Sequence, residues 1–263
     1  MASFLIAFVF FICAAVGVSG TNRFVSCGDL SNSIDNLTTQ VLLVNGKPGS
    51  VSKATVQSCE NLNGTWRNAF PTYDAVIGSN GIAQSGGKEE GDNMTPSGTF
   101  GLGEFFGWTP TSDPVVQKFT WDYRYIVDAK DQSGAYVDKF VDDSASPYYN
   151  SWVVGPSYAS SYEQMRISPY KYGLVINYNM FPTIPGKPLS IISCNDLIQF
   201  LTNPYIVLYS IVGKGSAIFM HIWSGPDGST AGCVALDEAN LISILQWLDK
   251  TMQPQIVIVP PTL

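Results

Sequence analysis

Glycine and proline interrupt this chain too often for long helices: 24 glycines and 16 prolines are scattered through 263 residues. Proline fixes φ and removes an amide donor, while glycine loses the most backbone freedom on ordering, so each shortens the element it falls in. The residues between them are largely apolar and aromatic. Hydrophobic residues make up 45% of the chain, aromatic residues 13% and charged residues only 13%. Tyrosine and threonine often fall in strand-like runs, which favours a mainly β domain over a helical bundle. The length gives ample material for a core, and so little charge argues against long disordered tracts. No internal repeat and no linker demands a second domain. The net charge of −7 argues against nucleic acid and against an anionic membrane surface as partners, because both select basic patches.

Residues 1–20, MASFLIAFVFFICAAVGVSG, are apolar or small and uncharged. Val18-Ser19-Gly20 offers a small-residue cleavage site, so the segment reads as a signal peptide despite the missing basic residue at its start. A retained anchor is the alternative, since nineteen uncharged residues are borderline for spanning a bilayer. The expectation is a secreted, extracellular protein with no stable membrane insertion after cleavage. Cys13 leaves with the signal, so the mature chain keeps Cys27, Cys59, Cys194 and Cys233. An even set in an oxidising compartment invites two disulfides. If Cys233 must stay free, the favoured bridge is Cys27 with Cys59, which flank the N-terminal region and have no catalytic context. Three N-glycosylation sequons begin at Asn36, Asn63 and Asn93, and they matter only in a eukaryotic secretory pathway.

Residues 21–50 read as a polar, turn-rich N-terminal extension with one apolar run at 40–44. Alternation from 51 to 77 predicts antiparallel strands. Residues 78–98 read as a long surface loop. Its GGKEE stretch is no phosphate loop, because neither Ser nor Thr follows the lysine and the earlier glycine is misplaced. Glu89, Glu90 and Asp92 there read as a solvated charge run. TFGLGEFFG starts another apolar element, 142–152 is a polar-aromatic loop, and YGLVINYN (172–179) is a strand. Residues 180–215 begin proline-rich, then predict a short helix near 195–201 and a strand-like YIVLYSIV.

The chemistry-bearing segment is GSAIFMHIWSGPDGSTAGCVALDEANLISILQWLD. GSAIFMHIW predicts a buried strand, GPDGST a turn, and DEANLISILQWLD an amphipathic helix capped by Asp237, with Leu241, Ile244, Leu245 and Leu248 on one face. His221 is the only histidine and lies twelve residues before Cys233. A cysteine nucleophile at neutral pH needs a nearby base, and imidazole has a suitable unperturbed pKa. A cysteine on a tight glycine-containing turn would also bring backbone amides to a developing oxyanion, here those of Gly232 and Cys233. On spacing alone a buried histidine and an inert core cysteine explain the pair as well. QIVIV closes the chain as a strand.

Other chemistries lack their residues. One histidine, no CxxC and no HExxH leave zinc without a ligand set, so no metal or cofactor is expected. A Ser-His-Asp hydrolase would need a GxSxG elbow, which is missing. Papain-type peptidases fit poorly, because there the cysteine precedes the histidine.

Several segments together resemble one family. The tail quoted above is similar to the L,D-transpeptidase catalytic domain (YkuD-like), in particular to the branch with a TAGCVAL-type cysteine motif. KEEGDNMTPSGTFGLGEFFG resembles that branch's EGD-TP-GTF stretch, and VDDSASPYYNSWV and YGLVINYN also fit. The pieces run in family order over about residues 70–250. By that resemblance Cys233 matches the nucleophile, His221 the upstream base and Gly232 the glycine before the cysteine. The commoner motif has a second histidine where Ala231 stands here. It also carries an arginine soon after the cysteine, where Val234, Ala235 and Leu236 follow, which puts recognition of a substrate carboxylate in doubt.

The resemblance implies an antiparallel β-sandwich with a C-terminal helix, occupying residues 51–263, with 183–212 an insertion. It implies a cysteine acyltransferase that forms a thioester on a peptidoglycan stem peptide and passes the acyl group to an amine. With water as acceptor the same site is a carboxypeptidase. A non-catalytic wall-binding protein would show Cys233 in a disulfide.

Overall fold

The computed structural model describes residues 26–30, 34, 37–127, 138–154, 160–180 and 210–261. The expected signal peptide, Cys13, Asn36, Cys194, the helix expected near 195–201 and residues 183–209 of the expected insertion lie outside them.

Short strands dominate, as the glycine and proline content dictates. They are β1 (Gln40–Gly46), β2 (Lys53–Leu62), β3 (Thr65–Asn68), β4 (Tyr73–Val76), β5 (Gly98–Gly107), β6 (Tyr123–Tyr125), β7 (Asp138–Phe140), β8 (Trp152–Val154), β9 (Glu163–Gln164), β10 (Gly173–Ile176), β11 (Phe219–Ile222), β12 (Val234–Leu236) and β13 (Gln255–Val259). Among the described residues the one α-helix is α1 (Glu238–Trp247). It starts where Asp237 caps it, the carboxylate accepting from the amides of Ala239 at 2.9 Å and Asn240 at 3.4 Å. Leu241, Ile244 and Leu245 are buried on one face, with Leu248 just beyond.

The main sheet runs β1-β13-β5-β10-β11-β12-β4-β2-β3, with β6 beside β5, and β1 also pairs with β2. That last pairing closes the sheet on itself. The expected antiparallel sandwich is therefore corrected to a mixed, barrel-like sheet, since β1–β13, β11–β12 and β5–β6 are parallel. Alternation along a strand reports which face is buried and says nothing of the partner's direction. β1 lies within the stretch read as an N-terminal extension, yet it pairs over its length with β13 and β2.

Three apolar clusters follow from the faces of this sheet. Leu42, Val44, Val56, Leu174, Met220, Leu236 and Ile256 pack with α1 in the main core. The other face of β1 places Val41 and Leu43 against Leu30, Trp66 and a Cys27–Cys59 disulfide. A separate three-stranded sheet, β8-β7-β9, contributes Phe140 and Trp152 to a third cluster with Phe106, Tyr170, Phe219 and Cys233.

Candidate active site

Parallel pairing of β11 and β12 brings His221 and Cys233 to the same region. Met220 lies opposite Val234 and His221 opposite Ala235, so Cys233 stands one residue before the paired segment. Both side chains line a cavity of about 300 Å3. The expected strand, turn and helix around them all form.

Cys233 is a free thiol, 7% exposed. Its Sγ accepts from the Phe219 amide at 3.4 Å and lies 3.5 Å from the Ala217 carbonyl oxygen, the acceptor for its S–H. Ala217 holds a left-handed φ of 52°, a costly state for a residue with a Cβ. Asn150, from the polar-aromatic loop, holds it there by accepting the Ala217 amide on Oδ1 at 3.1 Å. Burial pushes the thiol up to about 12. The Phe219 amide hydrogen bond works against that most, the Glu163 carboxylate adds to it, and the Lys88 charge opposes it by the smallest amount.

His221 is 8% exposed. Its Nδ1 lies 2.8 Å from the Ile222 carbonyl oxygen. A carbonyl only accepts, so Nδ1 carries the proton and Nε2 is the basic nitrogen of the neutral ring. Burial holds the imidazole down at about 4, outweighing the carbonyl's pull toward the charged form. The Tyr170 ring meets the imidazole edge-on at 5.1 Å, and its hydroxyl donates to Glu163 Oε1 at 2.7 Å. Burial raises the Glu163 carboxyl, and the Asp142 charge raises it further against the Tyr170 hydrogen bond. At rest the thiol and the imidazole that line this cavity are therefore both neutral. The apolar surroundings of the third cluster disfavour either charge.

The Gly232–Cys233 turn is held by threonines. Thr230 Oγ1 donates to the Cys233 carbonyl at 2.7 Å and accepts the Gly232 amide at 3.1 Å. Of the two oxyanion candidates, the Gly232 amide is thus engaged. Gly232 takes a φ of 152°, and a Cβ there would lie 3.0 Å from both Ile218 Cδ1 and the Met94 carbonyl oxygen. Only glycine fits without displacement.

Sequence reasoning passed over Lys88, Glu163 and Tyr170, and read the 89–92 charge run as solvated. Glu89 and Glu90 are both exposed, and Glu90 also accepts from Tyr149 Oη at 2.5 Å and Ser216 Oγ at 2.7 Å at the cavity edge. Asp92 pairs with buried Lys88 at 2.6 Å. The KEEGD stretch carried a signal only through its resemblance to a family motif. Of the sequons, Asn63 is exposed on the β2–β3 turn, and Asn93 is exposed and lines the cavity. Among the described residues no three His, Cys, Asp or Glu side chains converge as a metal set.

The model of the L,D-transpeptidase catalytic domain (YkuD) matches residues 59–259. The chain belongs to this family. L,D-transpeptidases of the YkuD family are cysteine-dependent acyltransferases acting on peptidoglycan stem peptides. The matched span begins at Cys59, near the end of β2, and includes β3 to β13, the cavity, His221 and Cys233, while β1 and Cys27 lie before it. Comparison with curated proteins and with solved structures finds no match.

Proposed function

We propose that the chain is a secreted L,D-transpeptidase that transfers a peptidoglycan stem-peptide acyl group through a thioester on Cys233, with His221 as proton shuttle. The observation that carries this reading is a free thiol and an imidazole opening on one cavity in a chain of this family. Secretion rests on the uncharged residues 1–20, and the sequons are read as glycan acceptors of that pathway.

Because burial keeps both groups neutral at rest, the proton moves with the attack. Sulfur adds to the carbonyl carbon of the bond to the terminal D-amino acid, and its proton passes to His221 Nε2. The Cys233 amide donates to the oxyanion. The imidazolium returns the proton to the leaving amine as the C–N bond breaks, and a thioester remains. An acceptor amine then attacks, its proton passes through His221 to the departing sulfur, and the thiol is restored.

Intact mass measurement of the protein incubated with a stem tetrapeptide tests the reading. The expected result is an adduct equal to the acyl tripeptide, mapped to Cys233 and missing in Cys233→Ala. An added amine should discharge the adduct into a cross-linked product. Discharge by water alone makes the enzyme a carboxypeptidase, and an unmodified protein at all times overturns the thioester.

A further inference from the structure

Lys88 is the only lysine or arginine lining the cavity among the described residues, and it is 4% exposed. Its ammonium donates to Asp92 Oδ1 at 2.6 Å and to the Glu89 carbonyl at 2.7 Å. Asp92 also accepts the Glu89 amide at 2.7 Å and the Met94 amide at 2.8 Å. These bonds outweigh the burial that would raise the Asp92 carboxyl and hold it below its ordinary value. The ion pair therefore folds residues 88–94 into a fixed wall. Leaving either charge unpaired in such a place is costly.

The wall lies on the cysteine turn. The Lys88 stem passes between two residues without side chains: a Cβ on Gly215 would sit 3.1 Å from Lys88 Cε, and one on Gly232 3.8 Å from it. Next along the wall, Thr95 Oγ1 lies 3.5 Å from the Cys233 carbonyl oxygen, its acceptor. Lys88 is thus packed against the residue preceding the thiol. The other ionisable groups lining the cavity are His221 on β11, Tyr170 from the turn Ser168–Lys171, Glu163 on β9, and Asp142 and Glu90 from loops. His221 is neutral, and the remainder are acids or a phenol.

We propose that Lys88 is a positioning residue for the cysteine site: locked by Asp92, it fixes the Gly232–Cys233 turn and supplies positive charge to a sulfur that becomes anionic. The proposal deepens the thioester reading by naming what steadies the developing charge.

The test uses the full chain and two variants of opposite charge effect. Lys88→Met keeps the stem and removes the charge. Asp92→Asn keeps the shape and leaves the lysine uncompensated. Iodoacetamide labelling of Cys233 at pH about 9, followed by mass mapping, reads the thiolate fraction, which changes about tenfold per unit of thiol pKa. Labelling of K88M should slow by about threefold or more, K88R should stay within about twofold of the parent, and D92N should label several-fold faster. A merely structural clasp predicts the contrary for K88M, since loosening the wall exposes the thiol and speeds labelling in both variants. Unchanged or faster labelling of K88M, or unchanged or slower labelling of D92N, overturns the proposal. If K88M does not fold, Lys88→Gln, which also removes the charge, is labelled in its place and decides by its sign. In acylation by a stem peptide, K88M should lower kcat with KM held, and K88R should restore it. A parent that labels as expected and never acylates would refute the transpeptidase reading and leave this one standing.

Discussion

His221 and the Cys233 thiol are both buried and line one cavity, and the two shifts run in opposite directions. The imidazole sits at about 4 and the thiol at about 12, each because burial penalises its charged form. An imidazolium–thiolate pair is therefore not the resting state, and in the proposed mechanism the base takes the proton during attack. His221→Gln should lower acylation by about 10²–10⁴-fold, the usual worth of general acid–base help, with the circular dichroism spectrum retained. In the parent enzyme the acid limb of the rate should fall near pH about 4, not near the free-imidazole value of about 6.5. A loss of only a few-fold in the variant would make His221 structural. The same shift has a stability consequence. Below about pH 6.5 the unfolded chain protonates His221 and the folded chain refuses the proton, so stability is full above that pH and declines as pH falls toward about 4. At about 1.36 kcal/mol per unit, the lowering from 6.5 to about 4 amounts to about 3 kcal/mol. Urea midpoints of the parent and His221→Gln should converge or cross on going from pH 7 to 4, and a constant gap would refute the buried neutral ring.

At the scale of elements, the strand, turn and helix that carry the site were legible because their signals are local. The apolar FMHI run, Asp237 before an amphipathic stretch, and glycine at 232 each act within a few residues. The turn depends on Gly232 in a way the sequence could only hint at. Its φ of 152° is strained for any side chain, and a new Cβ would meet Ile218 and the Met94 carbonyl at 3.0 Å. Gly232→Ala should cost about 1–3 kcal/mol in urea unfolding, the range for a residue forced into a sparsely populated backbone region. It should also reduce acylation more than substrate binding, because the displaced residue is the one before the thiol. Full stability together with full activity would show that the turn relaxes freely. Lys88, by contrast, was not legible: nothing in KEEGD tells a buried ion pair from a solvated charge run until the cysteine turn is laid against it.

The closure of the sheet belongs to the whole molecule and was beyond any local pattern. β1 finds β13 near the other end of the chain, and Gln40 Oε1 accepts the amide of Asp249 across 209 residues at 2.8 Å. An apolar run at 40–44 says a strand is there, and only its partners reveal that it completes the ring. The Cys27–Cys59 pairing could be inferred because eliminating Cys233 left few alternatives. In the structure this bond fastens the turn Cys27–Leu30 onto β2, beside Val41, which lies opposite Cys59. It therefore pins the N-terminal turn to the strand that closes the sheet, on the face away from the main core. The bridge spans 32 residues, for which chain entropy gives on the order of 3–4 kcal/mol. Replacing both cysteines by serine should lower stability by about that amount, read as a shift in the urea midpoint with the slope nearly unchanged. Acylation at Cys233 should persist at temperatures where the variant stays folded, because the site is built on β11 and β12 across the ring from β1. Loss of acylation in a fully folded variant would show that the closing strands reach the cysteine turn through the barrel itself.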